Sequence, residues 1–183
     1  SIRKDDSAIL SGRMQLGDGA YIAQGVTIRS EEDSLQIGEN TWVLENSVII
    51  GTPTFPTEVG SKTVFGHKCI AIGAKIGNLC EIGNGVIMLP GSKIGDMCIF
   101  GEGTLIPENI IIPDESVVVG RPGRIIRKLT QEDKSMIARM RGNDISIIHS
   151  KANIIDNSDE EGGKMGKLYK YGNNYPEVSE SAL

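Results

Sequence analysis

The chain has 183 residues, of which 39% are hydrophobic, 23% charged and only 4% aromatic, with 23 Gly. That leaves room for one domain and a modest appendage and excludes a large multidomain enzyme. A formal charge of −5 offers no global basic field for nucleic acid or an anionic membrane. No stretch reaches the roughly 18 apolar residues of a membrane helix, and the opening SIRKDDSAIL lacks the apolar core of a signal peptide. Three Cys without a CxxC pair argue against a disulfide framework or a zinc knuckle, so a cytoplasmic address is expected.

From residue 16 to residue 118 the sequence repeats in sixes. Leu16, Ile22, Ile28, Ile37, Val43, Ile49, Val59, Phe65, Ala71, Ile76, Ile82, Met88, Ile94, Phe100, Ile106, Ile112 and Val118 fall on one repeat position, and all are apolar. Three hexads return at intervals of about 18 residues, as in IGNLCE, IGDMCI and IPDESV, which predicts a triangular coil. Each hexad reads as a short strand and a corner, with the large aliphatic inward. A Gly often follows it, at Gly17, Gly38, Gly60, Gly66, Gly77, Gly83, Gly95 and Gly101, where backbone crowding is expected. The fifth position must also be small and inward. Ala20, Thr41, Ser47, Thr63, Cys69, Cys80, Cys98 and Thr104 fit, while Lys75 and Ile110 are exceptions. Each coil buries large aliphatics only if neighbours cover it, so a single coil cannot fold alone.

Two segments interrupt the repeat. Residues 31–36 lengthen one corner and 52–58 another, with Pro53 and Pro56 stopping strand pairing. After the repeat, Thr130, Gln131, Glu132 and Asp133 form a helix N-terminal cap. Met136, Ile137 and Met140 then recur at helical spacing, and a second apolar stretch covers 145–155. The polar, Gly-rich segment 156–183 reads as a flexible tail in which Leu168, Tyr169, Tyr171 and Tyr175 are candidates to dock. The expected division is a β-helix domain at 1–124, a C-terminal helical segment at 125–155 and a tail at 156–183.

The hexad pattern resembles the left-handed parallel β-helix, an all-β solenoid and an exception to right-handed crossovers. More narrowly, VGSKTVFGHKCIAIGAKIGNLCEIGNGVIMLPGSKIGDMCIFGEGTLIPENIIIPDESVVVGRPGRIIRKLT resembles the γ-class carbonic anhydrase-like family of hexapeptide-repeat proteins, including the closing Gly-x-Pro-x-x-x-x-Arg-x-Leu-Thr. Arg29 with Glu31, and Glu45 after Leu44, resemble the family's Arg-x-Asp and Gln-Asp segments. The resemblance implies a homotrimer with a zinc site in the cleft between subunits.

Active members of that family bind zinc through three His. The matching positions here are Ile50, His67 and Ile72, so two of three ligands are hydrocarbon. Catalytic zinc takes about three protein donors plus water, which one imidazole per site does not supply. The resemblance therefore implies a family member with a degenerate zinc site, no tight metal and no zinc hydratase activity. His67 and Glu45 are its candidate catalytic residues, and Arg29, Glu31, Ile50 and Ile72 line the cleft. His67 also reads simply as an interface histidine. Cys80 and Cys98, stacked on adjacent coils, read as small core residues.

A second reading is an acyl-CoA-dependent acyltransferase with His67 as general base and Arg121, Arg124, Arg127 and Lys128 meeting CoA phosphates. In the simpler reading those four cations are a solvated approach to the helix. A third is a carbonic anhydrase with metal held by Glu31, Glu45 and His67. No motif identifies a small-molecule ligand.

Overall fold

The computed structural model describes residues 1–141 and the backbone of the strand Ala152–Ile155. Short parallel strands form the three faces of a left-handed triangular prism of about six turns. The first face runs through Arg3–Lys4, Tyr21–Ile22, Trp42–Val43, Val64–Phe65, Glu81–Ile82, Ile99–Phe100 and Ser116–Val119. The second runs through Ile9–Ser11, Thr27–Ser30, Val48–Gly51, Ile70–Ile72, Ile87–Met88 and Leu105–Ile106. The third runs through Met14–Gly17, Leu35–Ile37, Thr57–Val59, Lys75–Ile76, Lys93–Ile94 and Ile111–Ile112.

Every large aliphatic of the repeat points into the prism, and none is more than 6% exposed. The small site lies two residues before each of them. Lys75, whose hexad is one residue short in the sequence, faces solvent, and Ala74 fills the site in its place. In the two lengthened coils Leu35 and Thr57 take the same place. Ile110 remains an exception and is 37% exposed.

Polar members of the small column link one coil to the next. Thr41 Oγ1 donates to the Gly60 carbonyl at 2.6 Å and accepts from the Thr63 amide at 3.2 Å. Thr63 Oγ1 donates to the Gly77 carbonyl at 2.8 Å and accepts from the Cys80 amide at 3.2 Å. The thiols of Cys80 and Cys98 continue the series to the carbonyls of Gly95 and Pro113, each at 3.2 Å. In the next column Cys69 Sγ reaches the Gly83 carbonyl at 3.1 Å. Burial pushes the Cys69 thiol up to about 11 and raises Cys80 as well, so neither supplies a thiolate at neutral pH.

The glycines after the large aliphatics mark close approach between coils. A Cβ on Gly77 would lie 2.4 Å from Asp96 Oδ1 and 2.5 Å from the Gly95 carbonyl oxygen. The left-handed corner residue comes two positions later and is often not glycine: Asn40, Lys62, Leu79, Met97 and Glu115 all have φ between 52° and 58°. The two insertions leave the same edge of the prism, between the second and third faces. Thr57 Oγ1 pins the longer one by donating to the Ile50 carbonyl at 2.6 Å.

After the last coil, Arg124–Lys128 adds an antiparallel strand to the first face, and α1 follows at Gln131–Met140. Its capping box is formed as expected: Thr130 Oγ1 accepts from the Asp133 amide at 3.1 Å, and Asp133 Oδ2 accepts from the Thr130 amide at 2.8 Å. Lys134 pairs with Glu115 on the last coil. At the other end, Arg141 Nη2 lies 2.5 Å from Glu81 Oε1, and its Nε donates to the Lys62 carbonyl at 2.8 Å. Within 125–155 the described helix is confined to α1, since Ala152–Ile155 pairs antiparallel with Met14–Gly17 on the third face. Residues 142–151, with His149, and the proposed tail at 156–183 lie outside the described residues. No helix among the described residues is long and apolar enough to cross a membrane.

Two outcomes are expected. Gly77→Ala, which drives a methyl into the next coil, should cost about 2 kcal/mol or more in urea unfolding. Gly103→Ala, where a Cβ meets nothing within 4 Å but φ is +71°, should cost only about 1 kcal/mol. The Glu81 carboxyl offers a second check, because burial raises it above its ordinary value although Arg141 pulls it down. A carboxyl raised in the fold contributes fully at acid pH, and its contribution is lost as pH climbs through the folded value. Glu81→Gln should therefore gain stability relative to wild type as pH rises through the carboxylate range. A difference in thermal midpoint moving the other way would mean that ion pairing outweighs burial.

Candidate functional site

The family positions sit on the second face, at its two edges. Strand alternation turns Ile28, Ile49 and Ala71 inward and their successors Arg29, Ile50 and Ile72 outward. These three are stacked in register, Arg29 on Ile50 and Ile50 on Ile72. Both isoleucines are half-buried. Arg29 Nε lies 3.4 Å from Glu31 Oε1, which places Glu31 with this column. A second outward column, Val48, Ile70, Ile87 and Leu105, runs beside it in register, so the exterior of this face is largely aliphatic.

His67 lies at the opposite edge, in the corner that leads from Val64–Phe65 to Ile70–Ile72. Its Nδ1 is 2.6 Å from Glu45 Oε2, with both side chains open to solvent at 52% and 37%. The His67 amide donates to Asn84 Oδ1 at 2.8 Å, and the Asn84 amide donates to Glu102 Oε2 at 2.5 Å. Glu45, His67, Asn84 and Glu102 are thus one column at one residue per coil. Asn84 and Glu102 were not singled out from the sequence, although both follow the repeat glycine just as His67 does.

With Glu45 Oε2 close to Nδ1, Nε2 is the ring nitrogen left for a further partner. His67 and Ile72 are separated by the length of a strand, on the order of 15 Å when extended. Within one chain they do not meet. The structure brings Glu45 to His67 and Glu31 to Arg29, but it leaves Glu31 and Glu45 on opposite edges of the face. Among the described residues there is no group of three or more His, Cys, Asp and Glu able to hold a metal. Three of the four basic residues after the last coil are each engaged with a different neighbour. Arg121 donates to the Gly103 carbonyl at 3.1 Å, Lys128 donates to the Asp114 carbonyl at 3.0 Å, and Arg127 pairs with Asp133 at 2.6 Å.

No protein-family model matches the chain. Over 133 residues it is 32% identical to a probable carbonic anhydrase of Methanocaldococcus jannaschii, covering 73% of this chain and 84% of that one. It is 27% identical over 155 residues to the mitochondrial gamma carbonic anhydrase 2 of Arabidopsis thaliana; this covers 80% of the chain but only 56% of the plant protein. The chain thus spans little more than half the length of that relative. Among solved structures, a hexapeptide transferase family protein from Anaplasma phagocytophilum superposes with a TM-score of 0.66 at 23% identity, over 78% of this chain and 87% of that one, a likeness of fold. Shared sequence over most of both chains, together with the hexapeptide prism, makes this chain a member of the γ-class carbonic anhydrase family.

Proposed function

We propose that the protein is a homotrimeric member of the family whose zinc site is degenerate, and that it acts as a binding or structural subunit rather than as a zinc hydratase. The observation that carries this reading is the in-register pair of Ile50 and Ile72 beside Arg29. Zinc in a hydrating site needs about three nitrogen, sulfur or oxygen donors, and two of the three family positions present hydrocarbon. The one imidazole, His67, is already anchored to Glu45. The three cysteines are buried inside the prism, so they do not replace the missing ligands. In this reading residues 1–124 form the body, 125–155 a clasp and 156–183 a tail. Free, buried cysteines fit a reducing, cytoplasmic compartment.

Metal analysis of the purified protein tests the proposal. Wild type is expected to hold far less than one zinc per subunit, whereas the double variant Ile50→His with Ile72→His regains about one, in trimers of unchanged mass. Stoichiometric zinc in wild type overturns the reading. Loss of that zinc in Glu45→Gln would favour a ligand set of Glu31, Glu45 and His67 instead.

The contact between His67 and Glu45 favours a second reading, acyl transfer from CoA with His67 as the base. A carboxylate 2.6 Å from Nδ1 orients the ring and leaves Nε2 as the nitrogen that would face a substrate proton. The basic residues give it little support, since Arg121, Arg127 and Lys128 are engaged with the last coil and the helix. On the first reading, millimolar CoA leaves the thermal midpoint unchanged. On the second it raises the midpoint by several degrees, through binding to the folded state alone.

A further inference from the structure

The first face carries a different chemistry from the family cleft. Its outward column runs Arg3, Tyr21, Trp42, Val64 and Glu81 in register. The ten-residue α1 is about 15 Å long, enough to span about three coils at the strand spacing of about 4.8 Å. It ends with Arg141 against Glu81 and the Lys62 carbonyl, and the coils of Tyr21 and Trp42 lie beyond it. Between the helix end and those coils is a cavity of about 480 Å³ walled by Arg3, Trp42, Lys62, Val64, Met140 and Arg141.

This volume lies within the range of ligand pockets, about 300 to 1,000 Å³. Among the described residues the lining holds three cations and no carboxylate, in a chain whose net charge is −5. Glu81 offsets Arg141. Arg3 is held by ring faces, with its guanidinium carbon 5.0 Å from the Tyr21 centroid and 6.0 Å from that of Trp42. The indole of Trp42 is 43% exposed and is steadied edge-on by Tyr21 at 6.0 Å. Val64 and Met140 extend the apolar wall.

A flat apolar wall beside a planar cation matches a ligand with the same two parts. We propose that this cavity binds an aromatic carboxylate, its ring against Trp42 and its carboxylate forked by the Arg3 guanidinium. A guanidinium presents paired donors that suit a carboxylate better than a point charge does. The site is independent of Ile50, His67 and Ile72, which lie on and beside another face.

Trp42 is the one tryptophan of the sequence, so indole emission reports from the cavity wall alone. Titration of the full chain with 4-nitrobenzoate, a quencher of indole emission, is expected to quench saturably at sub-millimolar concentration. Binding should weaken about tenfold or more for the uncharged 4-nitrobenzyl alcohol and for Arg3→Met. Arg3→Lys, which keeps the charge and loses the fork, should fall between, and both variants should keep the wild-type thermal midpoint. Linear quenching that is equal for acid and alcohol overturns the proposal, as does unchanged affinity in Arg3→Met. Tighter binding of phenyl phosphate than of benzoate, read by calorimetry, overturns the assignment to carboxylates. If the chain beyond Arg141 fills the cavity, Trp42 will be shielded from iodide and nitrobenzoate alike, which also overturns it.

Discussion

Coils stacked at the spacing of parallel strands, about 4.8 Å, turn each position into a column, because a residue meets chiefly its counterparts above and below. This constraint explains the composition. The interior is too narrow for most rings, so Ile, Val, Leu and Met fill the large sites, and Phe65 and Phe100 are exceptions. The next coil lies against the position after the large residue, which is why glycine recurs there. At the small inward site, a hydroxyl or thiol donates to a corner carbonyl of the next coil. Thr41, Thr63, Cys80 and Cys98 are interchangeable in this role, since each reaches the next coil at 2.6 to 3.2 Å. Cysteine is therefore part of the repeat here, and its chemistry is that of a weak, buried donor.

The same constraint decided what was legible in the sequence. The inward columns could be read because both requirements on them, apolar and small, are compositional. Lys75 departs from the small column because its hexad is one residue short, so that the position two residues before Ile76 is Ala74. The corners were less legible. A left-handed backbone at Leu79 or Met97 costs such a residue roughly 1 kcal/mol, and the repeat imposes it wherever stacking gains exceed that. Leu79 is also 2% exposed, so its burial offsets the backbone cost, and no glycine marks the turn.

In the candidate site, the meeting of Ile50 with Ile72 followed from position within the hexad. The meeting of His67 with Glu45 has the same register, two residues past Phe65 and Val43, but these are corner positions on which the repeat places no compositional requirement. The outward column of Arg3, Tyr21 and Trp42 had no signal of its own: it consists of residues that the repeat leaves unconstrained, and it becomes a wall only because a short helix ends where it does.

The three faces also differ in what can lie against them. The third presents Gln15, Gln36, Glu58, Lys75 and Lys93 in register, a polar exterior that ends in the exposed Ile111 of the last coil. The first is tied to α1 over its later coils. The second is aliphatic, and both Ile50 and Ile72 belong to it. Isoleucine at these two points offers no metal donor and adds to the apolar surface. Burying such a side chain is worth about 25 cal/mol per Å² of apolar area, but only when another surface covers it. On the trimeric reading proposed above, a partner subunit would supply that covering surface, and Ile50 and Ile72 would serve assembly rather than metal binding.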